Sequence, residues 1–494
     1  MRNSVRFLRN GRIVELDDFA PSTLLLDYLR LTEGATGTKE GCSEGDCGAC
    51  TVAIGRMRNG LLEYEPVNAC IQLVGGLDAT DVVAVEDIAA PNGGLHPIQQ
   101  KMVEKHASQC GYCTPGFVMS LFALFRSTDG PVERATVNDW IAGNLCRCTG
   151  YRPIVEAALE ALSGRRDDRH AAAADDTKAK LASLIDEEDI FVGYGERFFA
   201  APASIDSLAA LYEQHPDAVL VAGGTDVGLW ITKQLRDLPK IIFVGRVRDF
   251  DRIEETKHEI LLGAAVTYSA VERQIRAIDP DLGELFRRLG GRQVRTVGTI
   301  GGNIANGSPI GDTPPALIAL GASIELRRGD RLRVMALEEY FIDYGKQARM
   351  PGEFLTGILI PKLHPGDLFR CFKISKRFDQ DISSVMGAFR FTVENGTITD
   401  VRIAYGGMAG IPKRALATEV SLKGARAADS RAWTKAFGAL KEDFAPIDDH
   451  RASARYRAET AQALLGKALI EAVGTASVRT RVTGHRERAL DAAE

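Results

Sequence analysis

The 494-residue sequence lacks any excess of positive charge: 61 lysines and arginines face 66 aspartates and glutamates, the net charge is -5, and no basic run stands out. The electrostatic footprint of a nucleic-acid binder is therefore missing. No uninterrupted apolar run reaches ~18 residues, and MRNSVRFLRNGRIVEL has no apolar core behind its positive charges. Neither a membrane span nor an export signal is expected, and the expectation is a soluble, cytoplasmic chain. Familiar catalytic signatures are scarce too. Eight histidines are scattered without an H-E-x-x-H or H-x3-5-H spacing, which argues against a histidine-bound catalytic metal. G-x-S-x-G, Walker A and kinase patterns are absent, so hydrolase and phosphoryl-transfer readings are weak. The lack of G-x-G-x-x-G leaves a Rossmann fold unsupported.

What is present is cysteine, in a chain long enough for roughly three domains. Reducing compartments leave little use for structural disulfides, so nine cysteines favour metal or redox chemistry. Eight of them precede residue 150; only Cys371, read as a small buried hydrophobe, lies beyond. An Asn10-Gly11 hairpin and a helical STLLLDYLR lead into GCSEGDCGACTV, where Cys42, Cys47 and Cys50 form C-x4-C-x2-C. Cys70 follows after nineteen residues, and the three-plus-one spacing is that of plant-type [2Fe–2S] proteins. Glycines 41, 45 and 48 allow a loop to turn sharply with its amides toward sulfur. A buried-thiol loop or a zinc site is the alternative, although zinc ribbons pair their ligands as two short C-x2-4-C units.

Four helical stretches follow, HPIQQKMVEKHASQ, PGFVMSLFALFRS, TVNDWIAGNL and RPIVEAALEALSG, with His96 and Pro97 marking the first entry. QCGYCTPG, with Cys110 and Cys113, joins the first two; NLCRCTGYRP, with Cys146 and Cys148, joins the last two. The four thiols can meet at one end of a bundle. A redox disulfide would leave Cys146 and Cys148 without a role, while a four-cysteine zinc site remains a competitor.

GCSEGDCGAC, QCGYCTPG and NLCRCTGYRPI together resemble the iron–sulfur region of the molybdenum hydroxylases, the xanthine dehydrogenase and aldehyde oxidase family, over residues 1 to about 163. The resemblance implies one [2Fe–2S] cluster on Cys42, Cys47, Cys50 and Cys70 and a second on Cys110, Cys113, Cys146 and Cys148. It further implies that Gln109 contacts a molybdopterin carried outside these domains.

Residues 164–189 are charged and alanine-rich with few large apolar groups, and read as a linker, either exposed helix or disordered. Beyond it lie two Gly-rich loops, VAGGTDVGLW and TVGTIGGNIANGSPIGDTPPALIALGA. Their glycines let backbone approach a pyrophosphate, and Thr225, Thr299, Asn303 and Ser308 offer side-chain hydrogen bonds. Each loop alone reads more readily as a tight turn between strands. As a pair they resemble the FAD domain of the same family, which has the vanillyl-alcohol-oxidase-like fold. Carried over by position, Val221, Ala222, Gly223, Gly224, Thr225, Asp226, Val227, Gly228, Gly298, Thr299, Gly302, Asn303 and Asp312 would line FAD, with Leu355 and Lys373 nearby. Leu289 stands where mammalian relatives place a phenylalanine stacked on the flavin; leucine packs but does not stack.

The stretch from Phe372 onward alternates strands about an Asn395-Gly396 turn, with mixed helices to about residue 470, and resembles the family's C-terminal flavoprotein domain. Its KRFDQD segment reads from charge alone as a solvated loop. By resemblance, Arg377 and Asp379 would border the NAD site. The expected fold is thus multidomain α+β: a plant-type ferredoxin-like β-grasp domain (1–78), a four-helix [2Fe–2S] bundle (79–163), the linker (164–189), an FAD-binding domain (190–365), a C-terminal flavoprotein domain (366–475) and a tail (476–494). The resemblance implies two [2Fe–2S] clusters, FAD, NAD+ as acceptor, and a molybdopterin-containing large subunit in a dimer of heterodimers. It implies purine oxidation, with no substrate chemistry on this chain. A small subunit for another N-heterocycle or aldehyde, or a stand-alone reductase, is the alternative.

Overall fold

Two Asn-Gly pairs show how local chemistry sets the framework. In the computed structural model, which describes residues 1–473, Asn10 (φ 50°) and Gly11 (φ 73°) both take left-handed angles, as a two-residue hairpin turn requires. They join β1 (Val5–Arg9) to β2 (Arg12–Leu16), with Arg9 opposite Arg12. With β3 (Thr51–Arg58), β4 (Leu61–Asn68) and β5 (Asp81–Val83) they form a five-stranded sheet in the order β2-β1-β5-β3-β4. β5 runs parallel to β1 and antiparallel to β3.

The four expected helices follow as α1 (Pro97–Glu104), α2 (Thr114–Ser127), α3 (Arg134–Ile141) and α4 (Arg152–Ala161). Every residue of α2 from Gly116 to Phe125 is buried, so this helix is the core of the bundle rather than one amphipathic wall of it. His96 caps α1: its Nδ1 accepts from Ile98 N–H at 3.2 Å, which leaves Nε2 to donate to Asp168 Oδ2 at 3.1 Å.

Residues 164–189 are more than a spacer. They hold α5 (Arg169–Ala172) and α6 (Ala174–Leu184). Leu181 and Leu184 of α6 are buried against Leu8, and Asp186 receives Arg6 at 2.6 Å and Arg246 at 2.9 Å. Two leucines one helical turn apart suffice to dock a helix whose other residues are alanine or polar, which composition alone does not reveal.

A four-stranded sheet, β6-β7-β9-β8, follows, from β6 (Ile190–Tyr194), β7 (Arg197–Ala201), β8 (Val219–Val221) and β9 (Lys240–Phe243). α7 (Ile205–Gln214) precedes β8, and α8 (Val227–Thr232) follows it. Packing cuts across the expected 190–365 domain. One compact unit comprises residues 1–248 with 290–298; the other comprises 249–289 and the residues from 299 onward. The reason is a shared core: Phe199, Val221, Ile241 and Val297 pack in the same apolar cluster as Val5, Leu25 and Val74.

The second unit contains an antiparallel sheet, β10-β11-β14-β12-β13, of β10 (Ile253–Glu255), β11 (Glu259–Gly263), β12 (Ser323–Arg328), β13 (Arg331–Ala336) and β14 (Phe354–Pro361). Helices α9 (Tyr268–Ile278), α10 (Pro280–Arg287), α11 (Ile300–Asn306) and α12 (Thr313–Leu320) lie between β11 and β12 in sequence. A second antiparallel sheet runs β15 (Asp367–Ile374), β16 (Val385–Glu394), β17 (Thr397–Gly406) and β18 (Lys413–Arg414), with Asn395 and Gly396 again left-handed at the β16–β17 turn. Helices α13 (Leu416–Leu422), α14 (Ser430–Asp443) and α15 (Ala454–Val473) close the described chain. Cys371 is buried on β15, as expected. The tail 476–494 lies outside the described residues. No helix among the described residues is long and apolar enough to cross a membrane.

Candidate functional site

The eight N-terminal cysteines gather as two sets of four, and none of the eight is in a disulfide. The first set sits in the loop before β3 and just after β4. The Cys42 thiol is within hydrogen-bonding reach of Cys47 and Cys70, and Cys70 also of Cys50. Cys47 N–H points at Cys42 Sγ at 3.3 Å. Asn68 braces the loop, donating to Gly45 O at 2.8 Å and facing Cys50 Sγ at 3.8 Å. The ammonium of Lys233, just after α8, caps the Cys42 carbonyl.

The second set sits where α1 meets α2 and α3 meets α4. The Cys113 thiol is within hydrogen-bonding reach of Cys146, and Cys110 of Cys148. Thr149 N–H lies 3.5 Å from Cys146 Sγ, and the Tyr151 hydroxyl accepts from Cys146 N–H at 3.0 Å. Burial grades the sets: Cys50 and Cys70 are buried, whereas Cys110 and Cys148 are exposed, as is Gln109. The other two thiols of each set are half-buried, so the second set is the more exposed.

Crowding governs how these thiols ionise. Bonds from Cys47 and Cys70 hold Cys42 far below the ordinary thiol range, and its negative sulfur pushes Cys47 far above it. Cys70 is driven up by its bonds to Cys42 and Cys50 and then by burial. Burial and the bond to Cys146 push Cys113 up to about 12. Burial opposes ionisation of Cys146 as well, but Thr149 outweighs it and the net shift is downward. Four neighbouring thiols resist becoming four thiolates unless a cation compensates them. Among the described residues no three His, Cys, Asp or Glu side chains gather as ligands of a single ion. A two-iron cluster shares its four thiolates between two irons, and the paired thiols fit that demand.

The expected FAD residues fall in both compact units. In the first, Val221 ends β8, and Asp226 precedes α8. Between them, Gly223 lies so close to the 290–298 segment that a Cβ would come within 1.9 Å of Val297 O. Gly228 packs on Ile71, and Thr225 is the side chain nearest Gly298. In the second unit, Thr299 caps α11 by accepting from Gly302 N–H at 3.0 Å. Gly302 is exposed, and a Cβ there would meet only the Thr299 hydroxyl within 4 Å, so the turn presents bare backbone. Asn303 Oδ1 accepts from Thr313 at 2.7 Å. Asp312 is buried between Lys373 Nζ at 2.6 Å and Ser383 Oγ at 2.5 Å. Leu355 is buried on β14. In the second unit the open backbone at Gly302 beside the Thr299 hydroxyl fits a phosphate group.

The KRFDQD segment is held in place. Arg288 stacks over Phe378 at 4.3 Å and donates to its carbonyl at 2.7 and 2.9 Å, while Arg287 lies 3.9 Å from Asp379. Arg377 donates its own N–H to Asp381 at 2.8 Å. Leu289, beside Arg288, is half-buried. Sequence reasoning missed Ser383, Asn68, Asn144 and Gln293. Asn144 stands two residues before Cys146 and offered a positional cue; Gln293 offered none.

Comparison with known proteins follows the same divisions. Residues 7–74 match the 2Fe-2S iron-sulfur cluster binding domain and 84–159 the [2Fe-2S] binding domain. Residues 194–363 match the FAD binding domain in molybdopterin dehydrogenase, and 370–472 the CO dehydrogenase flavoprotein C-terminal domain. The xanthine dehydrogenase of Drosophila subobscura is 33% identical over 472 residues, covering 84% of this chain. The xanthine dehydrogenase/oxidase of Gallus gallus is 32% identical over 492 residues, covering 85%. The chain spans 35% and 36% of the lengths of these two relatives. Among solved structures, the reconstituted CO dehydrogenase from Oligotropha carboxidovorans superposes with a TM-score of 0.53 at 28% identity, over 57% of this chain and 99% of the other. Quinoline 2-oxidoreductase from Pseudomonas putida 86, at 22% identity and a TM-score of 0.52 over 58% of this chain and 99% of the other, shares the fold.

Proposed function

Because the chain carries the two iron–sulfur domains and the FAD-binding domain of a molybdenum hydroxylase electron-transfer region, we propose that it is the electron-transfer subunit of a xanthine dehydrogenase. Hypoxanthine and xanthine are oxidised toward urate on a molybdopterin-bearing large subunit, in a cytoplasmic dimer of heterodimers, and NAD+ is the final acceptor. The supporting observation is the gathering of eight thiols outside any disulfide into two sets, the second of which has Cys110 and Cys148 exposed beside the exposed Gln109.

In this reading Cys110, Cys113, Cys146 and Cys148 hold the entry cluster, and Cys42, Cys47, Cys50 and Cys70 the next. Residues 221–228 and Gly298, with Thr299, Gly302, Asn303, Asp312, Leu355 and Lys373, hold FAD, and Arg377 and Asp379 flank the NAD site. The clusters supply one-electron steps, and the flavin passes electrons on in pairs. The protein's own part is to position and tune. Cys47 N–H and Thr149 N–H stabilise negative sulfur, and Lys233 adds positive charge near Cys42. Lys373 neutralises Asp312, so the carboxylate adds no net charge beside a bound pyrophosphate.

Anaerobic purification of the native assembly tests this. The expected composition is about four irons per chain, from eight thiolates, with flavin and a molybdenum-containing larger chain. Xanthine should then reduce NAD+. Purification without a molybdenum-containing chain, and without purine-dependent flavin reduction, would overturn the reading. The likeness to CO dehydrogenases favours a second reading, a subunit serving another molybdenum hydroxylase. Flavin reduction by an aldehyde or another N-heterocycle, with xanthine inert, would support it.

A further inference from the structure

Gln293 is fully buried on the 290–298 segment, which packs with residues 1–248 although the chain on either side belongs to the second unit. Its Nε2 faces four acceptors: Asn144 Oδ1 at 2.9 Å, Ser120 Oγ at 3.1 Å, Thr51 Oγ1 at 3.2 Å and Gly143 O at 3.4 Å. The two hydroxyls have already committed their protons, Ser120 to Asn144 Oδ1 at 2.6 Å and Thr51 to Gly48 O at 2.6 Å. Asn144 Nδ2 also donates to Gly48 O, at 3.0 Å. The amide is therefore oriented with its N–H groups inward.

Nothing in this seam has slack. A Cβ on Gly48 would lie 2.2 Å from Gly143 O, and one on Gly143 would lie 1.9 Å from Gln293 Oε1. The two loops clamped together are the cluster loops, since Gly48 follows Cys47 and Leu145 precedes Cys146. Leu145 N–H donates to Cys47 O at 2.9 Å. A single backbone hydrogen bond thus links one cysteine of the first set to the neighbour of a cysteine of the second.

We propose that Gln293 is a positioning residue for electron transfer between the two clusters, clamping the Gly48 and Gly143 loops so that the Cys47–Leu145 hydrogen bond stays closed. The inference rests on the electron-transfer reading above. One electron leaves the cluster on Cys110, Cys113, Cys146 and Cys148 and is gained by the cluster on Cys42, Cys47, Cys50 and Cys70. No covalent bond forms or breaks and no proton moves.

The holoprotein tests it with Gln293→Met, which keeps length and removes the donor, and Ser120→Ala, which removes one acceptor. Iron content and both cluster potentials should stay at wild-type values. Exchange of the Leu145 amide should quicken about tenfold in Gln293→Met, the scale of one lost buried hydrogen bond. The magnetic splitting between the two reduced clusters, which reports their separation, should change, and inter-cluster transfer should slow. Ser120→Ala should shift all three in the same direction by less. Unchanged splitting and exchange in a fully loaded Gln293→Met protein would overturn the proposal, as would shifted potentials at unchanged splitting. Should Gln293→Met fail to load iron, Ser120→Ala decides by the same criteria. A wild-type protein without two [2Fe–2S] signals would instead sink the electron-transfer reading itself.

Discussion

Replacing Lys373 with methionine removes half of a buried ion pair while keeping an unbranched side chain of similar length. Lys373 Nζ lies 2.6 Å from Asp312 Oδ2, and the two side chains are 3% and 6% exposed. At an effective dielectric constant of 20, Coulomb attraction at that distance is roughly 6 kcal/mol. Desolvating both ions costs several kcal/mol each, so the intact pair contributes little net stability. Removing one partner is different, because Asp312 keeps the Ser383 hydroxyl and only a longer-range attraction from Arg288, and its charge is stranded. The expected loss is about 3–5 kcal/mol in the second unit. Asp312→Asn combined with Lys373→Met removes both charges and should recover most of it. Trp433 lies in this unit on α14, so denaturant unfolding followed by its fluorescence, in a background with Trp140 and Trp230 replaced by phenylalanine, reads the effect. A loss below about 1 kcal/mol for the single variant, the size of an exposed pair, would refute the reasoning.

Three further outcomes follow from the first unit. Cys148→Ser should remove about two of the four irons and leave the plant-type signal intact; loss of all iron would refute two independent sets. Burial pushes Asp81 up to about 6 against the Tyr64 hydroxyl, so the folded state favours its protonated form. That stability is complete below the unfolded value near 4 and is lost as pH rises through 6; the advantage of Asp81→Asn over wild type should therefore grow by about 1.5 kcal/mol between pH 5 and pH 8. A pH-independent difference in unfolding free energy would contradict it. Gly48→Ala forces a Cβ into Gly143 O at φ 70°, an angle costing an alanine about 1–2 kcal/mol before any clash, and should depress incorporation of the first cluster's iron.

Features encoded within a few residues were legible before any coordinates. The Asn10-Gly11 and Asn395-Gly396 turns, the proline-started helices and the three cysteine motifs each depend on a local backbone requirement, and each appears where its residues stand. The docking of residues 164–189 was not legible. It rests on Leu181, Leu184 and Asp186 meeting Leu8, Arg6 and Arg246, partners as far as 180 positions away along the chain. The fastening of KRFDQD by Arg287 and Arg288 was hidden for the same reason, being a match of charge and aromatic face across 90 positions.

By itself the sequence determined the spacing of the cysteines and the glycine content of the two loops, because both constrain the backbone locally. Only the tertiary structure decided that Cys50 and Cys70 are buried while Cys110 and Cys148 are exposed. It also gave Asp312 a lysine and a serine, and brought Gln293 into the seam between the two cysteine loops, 242 residues from Thr51. Burial and hydrogen-bond partners belong to packing, and packing joins residues that share no signal along the chain.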